Sequence, residues 1–421
     1  RVFLISNSVD ILRFTTAGSV DDGKSTLIGR LLYDSKGIFI DQLEDLKKAT
    51  TKDDIENLDL ARLTDGLKAE REQGITIDVA YRYFSTPKRK FIIADTPGHI
   101  EYTRNMFTGA SNSELAIILI DSRKGILEQS KRHLYISYLL GIENIIVAIN
   151  KMDLVDYNEE IYQEIKESFL EITKNLSIKN IKFVPISALS GDMVVNKGRN
   201  MNWYKGETLI EILENAEVSL NKVRKSFVRF PVQLVSRVDD ENVKDFRGYM
   251  GQLSSGEISV GDQVVIYPNM KTTFVKSLIN SSKYVNKISI NDSATILLED
   301  ELDISRGDLI ASDKEPPNVK DLITSQICWM GEKDLDLKKK YFLKHCNKTS
   351  KAIVTKVNSK INMESLERTL EFDNLKMNDI GEVEIRIQNQ ITYDSYQDNK
   401  KMGSFILIDD SNNTVAAGII T

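Results

Sequence analysis

The feature that most constrains the fold is a glycine-bounded loop at residues 18–25, Gly-Ser-Val-Asp-Asp-Gly-Lys-Ser. An apolar run at residues 12–17 precedes it, and a helical pattern at residues 24–33 follows it. A chain that turns from a buried strand into a helix over such a loop aims backbone N–H groups at one point, where an anion binds. The glycines permit this turn because they lack a Cβ atom. The loop therefore predicts a phosphate site, in which Lys24 supplies charge and Ser25 offers its hydroxyl to Mg²⁺.

Strand-like runs alternate with helical patterns through the first half of the chain. The runs are rich in Ile and Val and lie at residues 12–17, 79–85, 90–94, 115–121, 145–150 and 181–186. Amphipathic patterns lie between them, for example at residues 129–140 and 160–174. Strands that are buried on both faces and separated by helices predict a doubly wound, mostly parallel α/β sheet.

The pattern changes near residue 225. Short alternating runs then dominate, with turn residues between them at Gly248, Gly251, Gly256, Gly261-Asp262 and Pro268-Asn269. Pro316-Pro317 favours a linker, because proline blocks both helix and sheet pairing. We therefore predict three domains: an α/β domain at residues 1–225 and antiparallel β-barrels at residues 226–313 and 314–421.

A second motif, Asp95-Thr96-Pro97-Gly98-His99, follows the strand that ends at Ala94. Ligands of open α/β sheets bind at the carboxyl ends of the strands. Asp95 is placed to hold Mg²⁺ through a water molecule, and Gly98 to bring its backbone N–H to a γ-phosphate. The alternative is a plain strand-to-helix turn, since Asp, Pro and Gly all favour turns. The preceding phosphate loop favours the functional interpretation.

A third motif, Asn150-Lys151-Met152-Asp153, closes another strand. Asp153 is placed to accept hydrogen bonds from guanine N1–H and the exocyclic amine, a pair of donors that adenine lacks. Ser187-Ala188-Leu189, after the next strand, either offers a backbone N–H to the guanine oxygen or is an ordinary loop. Thr76, in Gly74-Ile75-Thr76-Ile77, is predicted to complete Mg²⁺ coordination while the γ-phosphate is present.

Composition narrows the class of protein. The 421 residues carry a net charge of −6, whereas nucleic-acid binders usually carry a basic surplus. The longest apolar runs, residues 115–120 and 145–149, are far shorter than the roughly 20 residues of a membrane-spanning helix. The two cysteines cannot form a disulfide framework or a four-ligand zinc site, so a reducing cytoplasm is expected.

The order of the motifs is that of a GTPase, and their amino-acid residues resemble those of the elongation-factor type. Within that type the chain resembles the large GTPase subunits of bacterial ATP sulfurylases over nearly its whole length. The resemblance rests on residues 18–32, including Asp21-Asp22, and on residues 63–74, 102–106 and 303–309. It implies a GTPase domain followed by two β-barrels, and GTP and Mg²⁺ as ligands. It also implies a separate small catalytic subunit that synthesises adenylylsulfate. GTP hydrolysis by this chain would be coupled to that synthesis.

The resemblance also implies roles for two residues. His99 would orient the water that attacks the γ-phosphate. Asp21 would help to bind a monovalent cation, or is an ordinary turn residue. His133 and His345 lie in no motif and are expected to be structural. The chain contains neither Ser-Gly-Gly-x-Asp-Ser nor His-x-Gly-His, two signatures of adenylyl transfer, so that chemistry is expected to come from another polypeptide.

Two other functions stay open at this point: a factor that delivers aminoacyl-tRNA, and a GTP-switched scaffold without coupled chemistry. The predicted catalytic residues are Lys24, Thr76 and His99, and the predicted metal ligands are Ser25, Thr76 and Asp95. The predicted nucleotide-binding residues are Gly18, Ser19, Val20, Asp21, Asp22, Gly23, Lys24, Ser25, Thr26, Asp95, Thr96, Pro97, Gly98, His99, Asn150, Lys151, Met152, Asp153, Ser187, Ala188 and Leu189.

Overall fold

The structure, a computed structural model, describes residues 10–35, 76, 78–99, 102–174, 176, 178–217, 227–240 and 243–421. Residues 74, 75 and 77, which flank Thr76 in its motif, lie outside these residues. So do residues 63–74, on which part of the family resemblance rests. Two compact units make up the chain: Arg1–Val218 with Asn362–Glu367, and Ser219–Ile361 with Arg368–Thr421.

The first unit contains a six-stranded sheet. Its strands are β1 (Ile11–Ala17), β2 (Ala80–Ser85), β3 (Lys90–Asp95), β4 (Leu115–Asp121), β5 (Asn144–Asn150) and β6 (Asn180–Pro185). Their order is β2-β3-β1-β4-β5-β6, and every neighbouring pair except β2–β3 is parallel. All seven residues of β4 are buried, as expected for a central strand that has both faces covered.

Strand β2 is antiparallel to its neighbour because residues 86–89 form a short hairpin connection. The backbone N–H of Thr86 donates to the Arg89 carbonyl at 2.9 Å, which closes this turn. A parallel pairing would need a much longer crossover. The predicted parallel sheet therefore carries one antiparallel edge strand.

Five α-helices of the first unit fall within the described residues. They are α1 (Lys24–Asp34), α2 (Thr103–Ala110), α3 (Glu128–Leu139), α4 (Glu159–Thr173) and α5 (Leu209–Asn215). Side chains cap two of them: Asn158 accepts from two backbone N–H groups at the start of α4, and Thr208 with Glu211 forms a capping box on α5. The predicted helices at 24–33, 129–140 and 160–174 agree with α1, α3 and α4 to within a residue.

The second unit consists of two closed antiparallel barrels. The first is built from β7 (Arg229–Asp240), β8 (Val243–Gln252), β9 (Glu257–Ser259), β10 (Gln263–Tyr267), β11 (Lys271–Asn280), β12 (Lys283–Val285), β13 (Lys287–Ser289), β14 (Ser293–Leu298) and β15 (Leu309–Ser312). Six of these strands form the order β10-β15-β7-β8-β14-β11, and pairing of β10 with β11 closes it. Buried side chains such as Phe230, Ile266 and Ile296 fill its core.

The second barrel is built from β16 (Asn318–Trp329), β17 (Tyr341–His345), β18 (Lys348–Ile361), β19 (Arg368–Thr369), β20 (Ile380–Tyr393), β21 (Ser404–Ile408) and β22 (Thr414–Ile420). Its closed order is β17-β21-β22-β16-β20-β18, and pairing of β17 with β18 completes the ring. The α/β domain and the two barrels confirm the predicted fold class. The division at residues 1–225, 226–313 and 314–421 stays a prediction. None of the helices in the described part of the chain is long and apolar enough to cross a membrane.

Candidate nucleotide-binding site

The phosphate loop connects β1 to α1. Gly23 is the N-cap residue of α1. Its φ of 93° is a left-handed conformation that favours glycine. A Cβ at this position would also collide with the Asn150 side-chain amide. A Cβ on Gly18 would lie 3.0 Å from the Leu119 Cβ on strand β4. Glycine is therefore required at residue 23, whereas at residue 18 a side chain would be tight against Leu119. The loop leads into a helix whose first N–H groups have no partner within the helix.

Lys24 is buried, and its side chain lies against the phosphate loop. Its Nζ donates to the Gly18 carbonyl at 2.9 Å and to the Ser19 carbonyl at 3.3 Å. Burial lowers the pKa of Lys24, while the carboxylates of Asp95, Asp22 and Asp21 act in the opposite direction. The amine is thus held at the loop, which is the position from which it can contact a bound phosphate.

Asp22 fixes the turn of the same loop. Its Oδ2 accepts from the Ser19 backbone N–H at 2.6 Å, and its own N–H donates to the Ser19 carbonyl at 3.3 Å. The side chain is 1% exposed. Burial raises the pKa of this carboxyl, although the Ser19 hydrogen bond and the charge of Lys24 partly oppose the shift. Its neighbour Asp21 is exposed and has a positive φ of 67°.

The segment that follows β3 reaches the phosphate loop at Gly98. A Cβ there would collide with the Lys24 amine and would lie 2.6 Å from the Gly18 carbonyl oxygen. Only glycine allows this approach. Asp95, 2% exposed, pairs in register with Thr16, and Thr96 Oγ1 donates to the Thr16 carbonyl at 2.7 Å. The structure therefore brings two predicted motifs together, residues 18–25 and 95–98.

The third motif joins this group through Asn150. The Asn150 Nδ2 donates to the Asp22 carbonyl at 2.8 Å, and its Oδ1 accepts from the Ala188 N–H at 2.9 Å. Lys151 reaches the same region, because its Nζ donates to the Asp21 carbonyl and lies 3.0 Å from Asp121 Oδ2. The loops after β1, β5 and β6 are thus tied to one another by side chains of residues 150 and 151.

Asp153 lies next to these contacts, in a short 3-10 helix at Met152–Val155. Its side chain is half-buried, and fully buried Met152 anchors the helix through a hydrogen bond from its N–H to the Ile186 carbonyl at 3.2 Å. Ser187 and Ala188 are buried, while Leu189 is 56% exposed. This arrangement leaves the half-buried Asp153 carboxylate beside the loops that Asn150 and Lys151 tie together.

The comparisons with known proteins agree with this geometry. Residues 9–244 match the family model for the elongation factor Tu GTP binding domain, and residues 322–421 match that for the GTP-eEF1A C-terminal domain-like family. Sulfate adenylyltransferase subunit 1 of Saccharophagus degradans is 48% identical over 414 residues, which cover 98% of this chain and 87% of that protein. The protein of the same name from Colwellia psychrerythraea is 48% identical over 416 residues, covering 98% and 88%.

The chain belongs to the sulfate adenylyltransferase subunit 1 family. Among solved structures, the GTPase-like domain of S. cerevisiae Ski7, bound to GTP, is similar in fold, with a TM-score of 0.53 at 19% identity over 98% of this chain and 97% of that one. ATP sulfurylase is another name for sulfate adenylyltransferase, so the family expected from the motifs is confirmed, as is the elongation-factor type of its GTP-binding domain.

The donor groups in this member of the sulfate adenylyltransferase subunit 1 family suit Mg²⁺. Ser25, the second residue of α1, and Asp95, at the end of β3, offer a hydroxyl and a carboxylate. Hard oxygen donors of this kind bind Mg²⁺, which takes its other ligands from water and phosphate. The described residues contain no cluster of three or more His, Cys, Asp or Glu side chains able to hold a metal without such help.

Thr76, which precedes β2, and His99, which follows β3, are the two remaining predicted catalytic residues. Thr76 is half-buried. His99 is half-buried, its carbonyl accepts from the Tyr102 N–H at 3.1 Å, and the two rings lie 6.0 Å apart. His99 therefore lies directly after Gly98, at the turn that leads into α2. The catalytic roles of both residues stay predictions.

Sequence reasoning missed two residues that organise the site in this family member. Asp121, at the end of β4, forms a bidentate ion pair with Arg123 and a second ion pair, through one oxygen, with Lys151. Burial alone would raise the pKa of Asp121, but these hydrogen bonds together hold it below its usual range. Arg30 on α1 donates to the carbonyls of Ala188 and Leu189. A carboxylate at a strand's carboxyl end was an available signal for Asp121, whereas Arg30 depends on tertiary contacts.

Proposed function

We propose that the chain is the GTP-hydrolysing regulatory subunit of a sulfate adenylyltransferase. It couples hydrolysis of GTP to the formation of adenylylsulfate and pyrophosphate from ATP and sulfate by a separate catalytic subunit. The observation that carries this proposal is that Asn150, three residues before Asp153, joins the phosphate loop to the loop at Ala188, in a chain 48% identical to proteins named sulfate adenylyltransferase subunit 1.

The phosphates of GTP are held by the loop at residues 18–26. Backbone N–H groups at the start of α1 point toward the β-phosphate, and Lys24 places its amine on the β- and γ-phosphates. Ser25, Asp95 and Thr76 are the residues that would hold Mg²⁺, whose charge offsets that of the phosphates when it is bound. Asp153 accepts from the two guanine donors and thereby selects guanine over adenine.

Hydrolysis requires a water molecule in line with the γ-phosphate. In this proposal Gly98 contacts the γ-phosphate through its N–H, and the imidazole of the adjacent His99 orients the water. Replacing His99 by alanine is therefore expected to leave GTP affinity within about twofold and to lower the hydrolysis rate by roughly 10²–10⁴. An equal loss of affinity and rate would assign His99 a structural role instead.

The adenylyl transfer itself is assigned to a partner subunit. The only sequence motif for a phosphate-binding loop is at residues 18–25, and in the proposed pose it presents the γ-phosphate, not the α-phosphate, to the catalytic residues. The relatives are named subunit 1 of their enzyme, which implies a second subunit. We place the assembly in the cytoplasm, in keeping with Cys328 and Cys346, which form no disulfide in the described part of the chain. The tRNA-delivery alternative is disfavoured, because relatives at 48% identity are named sulfate adenylyltransferase subunit 1.

The test is a reconstitution with radiolabelled sulfate. The purified chain is incubated with ATP, Mg²⁺, sulfate, GTP and pyrophosphatase, with and without the small adenylyltransferase subunit from the same organism. We expect no adenylylsulfate from the chain alone. With the partner, we expect synthesis that GTP stimulates and that the Lys24→Ala chain does not stimulate. Substantial synthesis by the chain alone would contradict the two-subunit assignment.

A further inference from the structure

Asp22 has a buried carboxylate, and the phosphate loop does not need its negative charge in order to fold. Its Oδ2 accepts one hydrogen bond, from the Ser19 N–H at 2.6 Å. An asparagine oxygen in the same place would accept that bond equally well. The negative charge is therefore an addition to the structural role, and it is retained at a position that is only 1% exposed.

The second carboxylate oxygen is the unusual feature. Asp22 Oδ1 is buried and, within the part of the chain that the structure describes, has no hydrogen-bond partner. A buried, incompletely bonded carboxylate destabilises a protein unless something compensates it. The charge of Lys24 attracts it, and the exposed carboxylate of Asp21 lies next to it in the chain. The Asp22 charge is thus directed at the lysine that faces the phosphates of GTP in the proposed function.

We propose that Asp22 lowers the affinity of the site for guanine nucleotides and so speeds their release. The phosphates and the Asp22 carboxylate are like charges, and both interact with the Lys24 amine. In the low-dielectric interior of the loop this repulsion is poorly screened. The inference rests on the proposed function, because it assumes that the loop binds the phosphates of GTP. It makes Asp22 a positioning residue with a second role, that of setting nucleotide residence time.

Repulsion between charges makes a prediction that a purely structural role does not. The affinity gained by removing the charge must grow with the number of phosphates on the ligand, from GMP through GDP to GTP. A change in loop shape alone would alter the three affinities without this order. The series therefore separates the charge of Asp22 from its hydrogen bond to Ser19.

The experiment measures dissociation constants of GMP, GDP and GTP by calorimetry and the release of fluorescent GDP by stopped flow, on the full chain. The variant Asp22→Asn keeps the acceptor and removes the charge. We expect GDP to bind about tenfold more tightly, mainly through slower release, with a smaller gain for GMP and a larger one for GTP. The matched control is Glu167→Gln, the same change at an exposed position on α4, which should leave all three affinities unchanged.

Equal or weaker GDP binding by Asp22→Asn, or a gain that does not follow the number of phosphates, would overturn the proposal. A second neutral variant, Asp22→Ser, decides the matter if the asparagine variant does not fold, because the same phosphate order is expected of it. Failure of the proposed function would look different, since the wild-type chain itself would then not bind GDP or GTP.

Discussion

Buried charge is bonded differently at two places in the molecule, one in each unit. In the barrel unit, the Arg229 guanidinium and the Asp394 carboxylate are both buried and fully bonded to each other, with N···O distances of 2.9 and 3.0 Å. Arg229 also donates to the Val228 carbonyl and stacks 4.4 Å from the centre of the Phe227 ring. Every strong polar group of this pair has a partner within the protein.

Around the phosphate loop the bonding is incomplete. Three buried oxygens there, Thr16 Oγ1, Ser19 Oγ and Asp22 Oδ1, have no hydrogen-bond partner among the described residues. Buried polar groups are nearly always satisfied in folded proteins, and the exceptions concentrate where function needs them. The difference teaches that a buried ion pair can satisfy itself within the protein, as Arg229 and Asp394 do, whereas the buried Asp22 carboxylate at the phosphate loop keeps one oxygen without a partner among the described residues.

The largest effect is expected from Lys24→Ala. Loss of the amine should weaken GTP binding by roughly a thousandfold, about 4 kcal/mol, because the phosphate charge loses its buried counter-charge. The chain should stay folded with a lower thermal midpoint, because the buried carboxylates of Asp22 and Asp95 lose the charge of the amine. Fluorescent nucleotide titration and thermal melts measure the two quantities. Lys205→Ala, at an exposed position, is the control, and normal GTP affinity in Lys24→Ala would contradict the phosphate-loop assignment.

The Arg229–Asp394 ion pair of the barrel unit should affect stability and not GTP binding. Asp394→Ala leaves the Arg229 charge buried without its partner, which should lower the free energy of unfolding of this unit by about 3–5 kcal/mol. GTP affinity should not change. Denaturant unfolding in a Trp203→Phe background reads the barrels alone, because Trp329 on β16 is then the remaining tryptophan.

Two comparisons sharpen this result. Asp321→Ala breaks a half-exposed ion pair with Arg386 in the second barrel and should cost at most about 1 kcal/mol. The double variant Arg229→Met/Asp394→Leu removes both charges and should recover most of the lost stability. If the single and double variants were equally unstable, packing rather than charge would explain the loss.

A smaller effect is expected at the base. Asp153→Asn should weaken GTP by roughly 10–150-fold, because charge-assisted hydrogen bonds of this kind contribute about 1.5–3 kcal/mol. The same variant should prefer xanthosine triphosphate, whose base has a carbonyl where guanine has its amine. Competition between the two nucleotides measures the preference. Unchanged selectivity for GTP would remove Asp153 from base recognition.

The smallest effect concerns the site's own fully bonded carboxylate. Asp121→Asn should lower stability at pH 7 by about 1–2 kcal/mol, because it weakens the ion pairs with Arg123 and Lys151. The pKa of Asp121 is held below its usual range, so its contribution is complete above about pH 4 and is lost as the pH falls through the lower, folded-state value. The difference between the melts of the two proteins should therefore narrow as the pH falls from about 5 to about 3, without vanishing, because the folded-state pKa of Asp121 lies lower still. A constant difference would contradict the ion-pair account.

Most of the α/β domain is predictable from the sequence because its signals are local. The run at residues 115–121 matches β4 at both ends, since a strand buried on both faces is apolar along its whole length. The barrel strands are harder, because their exposed ends carry polar residues. Residues 325–330 predict only the second half of β16, which begins at Asn318.

The site follows the same division. The motif residues are predictable because their chemistry requires particular side chains at fixed spacing. Asn150 forms a brace between Asp22 and Ala188, which lie 128 and 38 residues away from it in the chain. The contacts of Arg30 span 158 and 159 residues, so no local pattern reveals either set. The two histidines expected to be structural have the surroundings of structural residues. Burial lowers the pKa of His133 to about 3, and His345 is hydrogen-bonded to the Met402 carbonyl at 2.7 Å.

The Asn150 brace has a consequence for how the site responds to pieces of its ligand. The Asn150 amide holds the phosphate loop at Asp22 with its N–H and the loop at Ala188 with its oxygen, so these two loops keep a fixed separation. Guanosine and pyrophosphate, offered as separate molecules, must each lose translational freedom to occupy their halves. A covalently joined nucleotide loses it once, and the second half then binds at a high effective concentration. In the proposed function, recognition of GTP is therefore a chelate effect that depends on the loop spacing held by Asn150.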